Sequence, residues 1–285
     1  MSLFHPLDKI LFDFIIDRES DVVEDHIGRV SMEFCFFANR FENSKLGIPK
    51  RKSEFTPTKA PTFMHKVAQA PPEAQDKRLL IAKIIVVALY VVGAVGLSIP
   101  DYRPFFQSLT PAQLLVTLGL VLFFHRGWTD LFPIFAALAF WIGFGAELIG
   151  IHTGYLFGDY VYGPTLGPML WDVPLVIGVN WFVLVYLTGA VFSKSIPNDY
   201  YAAFMGATAM TAFDYVMEPV ASALDMWYWK FDIIPFENYL GWFGVSFLIH
   251  LLYRKTNFEK SNPLAAFLLI AMILFFAVLN FTLEL

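Results

Sequence analysis

The chain has 285 residues, of which 57% are hydrophobic, 18% aromatic and 16% charged, with a mean hydropathy of +0.56 and a formal net charge of −5. Soluble domains carry about 25% charged residues, so the composition excludes an ordinary soluble globule and points to an integral membrane protein. Its single cysteine, Cys35, excludes an intramolecular disulfide and a cysteine-based metal site, and no neighbouring base activates it as a nucleophile.

Residues 1–78 differ from the rest. They hold Lys50, Arg51, Lys52, Lys59 and Lys66, with Pro57, Pro61, Pro71 and Pro72 in the later half. Asp8, Asp13 and Asp17 interrupt the early apolar positions, which rules out a signal peptide. Residues 7–17 have helix-like apolar spacing suited to lying on a membrane or on the body, and 43–78 read as a polar linker. Met64 is an alternative start. The expected organisation is a cytoplasmic leader and linker over 1–78 and a transmembrane domain over 79–285.

Seven apolar segments follow, at 79–98, 110–125, 131–151, 173–192, 200–224, 240–253 and 263–283. They predict an all-α, polytopic membrane protein of about seven transmembrane helices. The second and sixth fall short of the roughly 20 residues a straight crossing needs. With the N-terminus inside, the inner flanks carry Lys77, Arg78, Arg126, Lys194, Arg254, Lys255 and Lys260, and the outer loops only Arg103 and Lys230. This satisfies the positive-inside rule in the cell membrane and places the C-terminus outside.

Acids inside such segments need a reason, because a charge near the bilayer centre costs at least about 2.5–3.5 kcal/mol. Glu147 falls near the outer end of the third segment. Asp214 and Glu218 are i and i+4, hence on one face of the fifth, and Pro219 should weaken the helix beyond them. The spans offer few cations to neutralise these acids. Lys83 sits at the wrong end of its helix, and His250 lies near the inner side. Asp159, Asp172 and Asp225 are secondary acids of the outer loops, where turn and capping roles compete with function. His152 suits a cap or hydrogen-bond partner better than a catalytic role. The 152–172 loop has Gly154, Gly158, Gly163, Gly167, Pro164 and Pro168 but no Lys or Arg, which suggests irregular backbone lining a cavity. Tyr155, Tyr160, Tyr162, Trp181, Trp227, Trp229 and Trp242 gather at the same end. Such rings form either an interfacial belt or the wall of a pocket for an elongated apolar ligand.

Other chemistries lack their signatures. There is no H-E-x-x-H, G-x-S-x-G, P-loop or G-x-G-x-x-G, and the histidines at 5, 26, 65, 125, 152 and 250 have no metal-ligand spacing. The helical part has no basic face for nucleic acid. Acids alone can still hold a divalent cation.

The run Glu147-Leu148-Ile149-Gly150, Thr153-Gly154, Phe157-Gly158, Tyr160-Val161-Tyr162, Gly167-Pro168, Pro174 and Trp181 resembles the membrane carotenoid hydratases. That family includes carotenoid 1,2-hydratases of C40 pathways and bisanhydrobacterioruberin hydratases of C50 pathways. Asp214, Glu218-Pro219, Trp227-Tyr228-Trp229, Pro235, Asn238 and Gly241-Trp242 look like its second block. The resemblance covers roughly 79–280. It implies addition of water across the terminal double bond of an acyclic carotenoid end group, giving a tertiary alcohol, with no cofactor and no metal. The implied partners are a carotenoid dissolved in the bilayer, water, and other carotenoid biosynthesis enzymes.

The residues suit that chemistry. An isolated alkene is a weak base and needs a strong, positioned acid; the tertiary cation then takes water, whose proton goes to a base. Low dielectric keeps carboxyl groups protonated near neutrality, and aromatic faces stabilise the cation. Asp214 is the expected proton donor, with Glu147 and Glu218 orienting water or acting as base; these roles are exchangeable. The aromatic residues named above are the expected substrate contacts. A carotenoid cyclase, a proton-coupled transporter and a pigment-enzyme scaffold are the rival readings.

Overall fold

The structure is a computed structural model and describes residues 72–285. The leader's apolar-spaced segment at 7–17, Cys35 and Met64 lie outside the described residues. Seven long helices occupy the seven predicted segments: α1 (Pro72–Ser98), α3 (Thr110–Phe124), α4 (Leu131–Thr153), α5 (Leu175–Ser193), α6 (Asp199–Ala223), α7 (Phe236–Lys255) and α8 (Ala265–Thr282). A short helix, α2 (Arg103–Ser108), joins α1 to α3. The chain is an all-α membrane protein. Among the described residues four helices, α1, α4, α5 and α8, are long and apolar enough to cross a bilayer, and α3 is a shorter apolar helix.

Several boundaries depart from the sequence reading. α1 starts at Pro72, inside the predicted linker. Proline is favoured in a first turn, where its missing N–H is not needed, and the following Glu, Ala, Gln, Lys and Arg are good helix formers. α6 starts on Asn198, whose side chain accepts from the Tyr201 N–H at 2.9 Å, satisfying one orphan donor of the first turn. The helix also runs through Pro219 to Ala223. Proline removes only one backbone hydrogen bond, and here a single turn remains to be held.

α5 is the centre. It is apolar all round, and its residues are buried from Val176 to Gly189 with the exception of Val179, as expected of a helix enclosed by others. It packs against α3, α4, α6, α7 and α8. α6 and α7 form a closely packed hairpin, and α1 lies on α8. The outer helices turn large apolar side chains outward, such as Ile81, Ile84, Val91 and Val95 of α1. An extended exposed apolar face of this kind suits lipid.

The loops expected to be irregular are partly ordered. β1 (Tyr160–Tyr162) pairs antiparallel with β4 (Trp227–Trp229), with Tyr160 opposite Trp229 and Tyr162 opposite Trp227. A smaller ribbon pairs β2 (Met169–Leu170) with β3 (Val173–Pro174). Strand side chains alternate with period two. Tyr160, Trp227 and Trp229 are therefore buried while Val161 and Tyr228 are exposed. This ribbon places four polar aromatic groups over one end of the helices.

Candidate active site

Glu147 lies on α4, one turn beyond Gly143. A Cβ on Gly143 would overlap the Trp181 ring; its absence lets α5 approach so closely that Trp181 Nε1 donates to Glu147 Oε1 at 3.0 Å. The Tyr162 hydroxyl donates to Glu147 Oε2 at 2.8 Å, and the Tyr160 hydroxyl donates to the same oxygen. Burial, and then the adjacent Glu147 charge, push the Tyr160 and Tyr162 hydroxyls well above their ordinary pKa, so both remain donors.

Glu218 is held by a second set of three. Trp227 Nε1 and Trp229 Nε1 donate to Oε2 at 2.9 and 2.8 Å, and the Asn238 amide donates to Oε1 at 3.0 Å. The same Asn238 nitrogen donates to Asp214 Oδ2 at 2.9 Å. Asp214 is wholly buried, and its Oδ1 has no hydrogen-bond partner. Unpaired buried polar atoms are uncommon, and this one sits one helical turn from Glu218. Among the described residues no cation pairs with Glu147, Asp214 or Glu218.

Glu147 and Glu218 both line one small cavity, walled by Tyr160, Tyr162, Trp181, Trp227, Trp229 and Trp242. Phe157, Ile177, Asn180 and Asn238 complete it. Trp181 and Trp242 stack at 4.6 Å, and Tyr160 lies 5.0 Å from Trp229. The volume is about 20 Å³, room for about one water. Asp214, which shares the Asn238 amide with Glu218, is not among the residues that line this cavity. A larger apolar cavity of about 330 Å³ adjoins, sharing Ile177, Asn180 and Trp227.

Thus the fold gathers Glu147, Glu218, Tyr160, Tyr162, Trp181, Trp227, Trp229 and Trp242 around one cavity, and joins Asp214 to Glu218 through Asn238. It leaves the other predicted residues apart. Tyr155 is 76% exposed. Asp159 pairs with Lys230 at 2.7 Å on the surface. Asp172 is exposed, 3.6 Å from His152 Nε2, and His152 Nδ1 faces the Leu148 carbonyl at 3.0 Å. Asp172 and Asp225 both have positive φ, a turn conformation that Asp tolerates. Asp225 accepts from Gln107 and Tyr228. Two asparagines were missed as site residues. Asn238, in the first turn of α7, entered the sequence reading only as part of the second family-like block, with no role given to it; Asn180 is the one amide in an otherwise largely apolar span. Among the described residues no group of three or more His, Cys, Asp or Glu side chains is placed to hold a metal ion.

The bisanhydrobacterioruberin hydratase of Haloarcula japonica is 35% identical over 128 residues, covering 42% of this chain and 43% of that protein, so the match spans less than half of the relative. No solved structure matches the chain. The model of the family described as "Carotenoid biosynthesis protein" matches residues 109–285, a stretch that contains all three buried acids and the whole cavity wall. The chain belongs to this carotenoid biosynthesis family.

Proposed function

We propose that the protein is a carotenoid hydratase that adds water across the terminal C=C of an acyclic end group. The observation that carries this reading is the pair Glu147 and Glu218, facing one aromatic cavity large enough for a single water and held by six neutral donors. The similarity to a protein named as a hydratase supports the same reaction.

In the proposed sequence, a carboxylic acid O–H protonates the less substituted alkene carbon. The π bond breaks and a tertiary cation forms on the other carbon. Water's oxygen bonds to that carbon, and its proton passes to the second carboxylate. Glu218 and Glu147 are the groups that reach the reacting atoms. Asp214, one turn behind Glu218 and sharing Asn238 with it, is the proton reservoir that recharges the pair; this moves the donor role expected for Asp214 one step back. The indole and phenol rings offer negative faces to the cation. Two carboxyl groups in acid and base roles supply typically 10²–10⁴-fold each. A water-sized space beside the acids favours capture by water over ring closure.

The same reading takes all seven helices as crossings. The α3–α4, α5–α6 and α7–α8 connections meet at the end remote from the acids. There Arg126 bridges to Ser261 and Arg254 donates to the Ser193 carbonyl. Basic residues gathered at that end support a cytoplasmic position for it.

The test is expression in a lycopene-accumulating host, followed by mass analysis of extracted pigment. A gain of one water per modified end is expected, and Glu147→Gln or Glu218→Gln should abolish it while protein still accumulates. An isomer of unchanged mass would replace hydration by cyclisation. Full turnover in either variant would remove that acid from the mechanism.

A further inference from the structure

The larger cavity has a volume of about 330 Å³, within the roughly 300–1,000 Å³ of small-molecule sites. Phe213 and Met217 of α6 and Met272 and Phe276 of α8 form much of its wall. Its hydroxyls are largely engaged: Tyr90 Oη meets Thr117 Oγ1 at 3.4 Å, and Thr117 Oγ1 donates to the Gln113 carbonyl at 3.0 Å. The amides Gln113 and Asn180 also line it; such a chamber offers water little and offers hydrocarbon contact over most of its wall.

Its two ends differ. The deep end is the neck shared with the carboxylate cavity, at Ile177, Asn180 and Trp227. The other end is rimmed by Val92 of α1 with Ala112 and Val116 of α3, all exposed. α1 packs on α8 and α3 on α5, so the rim opens between α1 and α3 on a face of apolar side chains. That is the face a bilayer covers. The carboxylate cavity is too small for a branched alkene end, so the alkene has to meet the water at the neck.

We propose that this chamber takes an elongated hydrocarbon chain directly from the bilayer between α1 and α3, and presents its terminal alkene at Asn180 and Trp227. The assignment deepens the hydratase reading and rests on it for the alkene chemistry. The ligand is an isoprenoid polyene. A phospholipid acyl chain offers similar surface, and the test separates the two.

A Cβ at Gly93 would lie 3.4 Å from Phe275, another wall residue, so Gly93→Phe narrows the chamber. Ala112→Trp covers the rim from an exposed position that burdens folding little. The full chain carrying Glu147→Gln, which arrests turnover, is purified in detergent from lycopene-producing cells, and bound lycopene and phospholipid are quantified per protein. The parent should retain lycopene, and each narrowing variant about tenfold less, with Ala112→Ser retaining the parent amount. Equal retention in the narrowed variants would overturn the proposal, as would a parent that holds phospholipid and no lycopene. Hydration is scored separately, in cells carrying native Glu147. Retention lost on narrowing, without any water added to the pigment, would leave the chamber assigned and the hydratase reading refuted.

Discussion

The two ends of α6 hold acids in opposite ways. At its start, Asp199 accepts from Arg254 Nε at 3.0 Å and from Lys255 Nζ at 2.9 Å. Arg254 also donates to the carbonyls of Ser193, Ile196 and Pro197. About 28 Å further along the helix, Glu218 meets two indoles and an amide, Asp214 shares that amide, and Glu147 meets two phenols and an indole. A carboxylate paired with cations is fixed as a charge and ties loops together. A carboxyl group among neutral donors is held in place without a counter-ion. On the hydratase reading proposed above, the difference separates structural acids from reacting ones, and it can be attacked from either end.

The largest effect is expected at the neutral end. Glu218→Gln and Glu147→Gln should each lower product per unit protein by at least about 10²-fold, read by pigment mass analysis against protein quantified in the same membranes. Asp214→Asn should leave more residual turnover than either, because Asp214 does not reach the cavity; equal loss in all three would place Asp214 in direct contact with substrate instead. Gly143→Ala should come next. Its Cβ drives into Trp181, and overpacking of this kind costs about 1–3 kcal/mol. A lower Tm in detergent and slower hydration are both expected; an unchanged Tm would show that α4 and α5 can separate freely.

Asn238→Leu removes the donor shared by Asp214 and Glu218. Leaving buried acceptors unmet costs about 1–3 kcal/mol, so a drop in Tm together with lost turnover is expected, measured on the purified variant. Trp229→Phe keeps the ring and deletes one of two indole donors on Glu218 Oε2. About 0.5–1.5 kcal/mol is at stake, and partial activity should survive. The smallest effect on turnover belongs to the other end. Asp199→Asn should loosen the α5–α6 and α7–α8 connections, visible as a salt-sensitive decrease in Tm, while hydration continues at the native rate. Loss of hydration there would erase the distinction between the two ends.

The ribbon carries a second lesson. In the sequence, Tyr160, Tyr162, Trp227 and Trp229 read first as an interfacial belt, with a pocket wall as the sharper alternative. The antiparallel register turns all four polar aromatics toward the acids: Tyr160 and Tyr162 donate to Glu147, and Trp227 and Trp229 to Glu218. Tyr155, only five residues before Tyr160, lies outside the ribbon and stays exposed. Nothing in its residue type distinguished it.

The sequence by itself determined the class of protein and the positions of its helices. Those are local, additive properties: runs of apolar residues long enough for a bilayer, broken by Pro, Gly and charge. It also singled out Glu147, Asp214 and Glu218, because an acid in an apolar segment is costly wherever the chain later folds. The tertiary structure alone decided which acids meet. Glu147 and Glu218 are 71 positions apart in sequence, and their shared cavity depends on helix packing through Gly143 and on a ribbon whose strands come from two different loops. It likewise decided that Asp159, Asp172 and Asp225 are surface and turn residues, that Asn238 joins two acids, and that an apolar chamber adjoins them at Asn180. Each of these is a long-range contact, and local patterns of polarity carry no record of which partner a side chain will find.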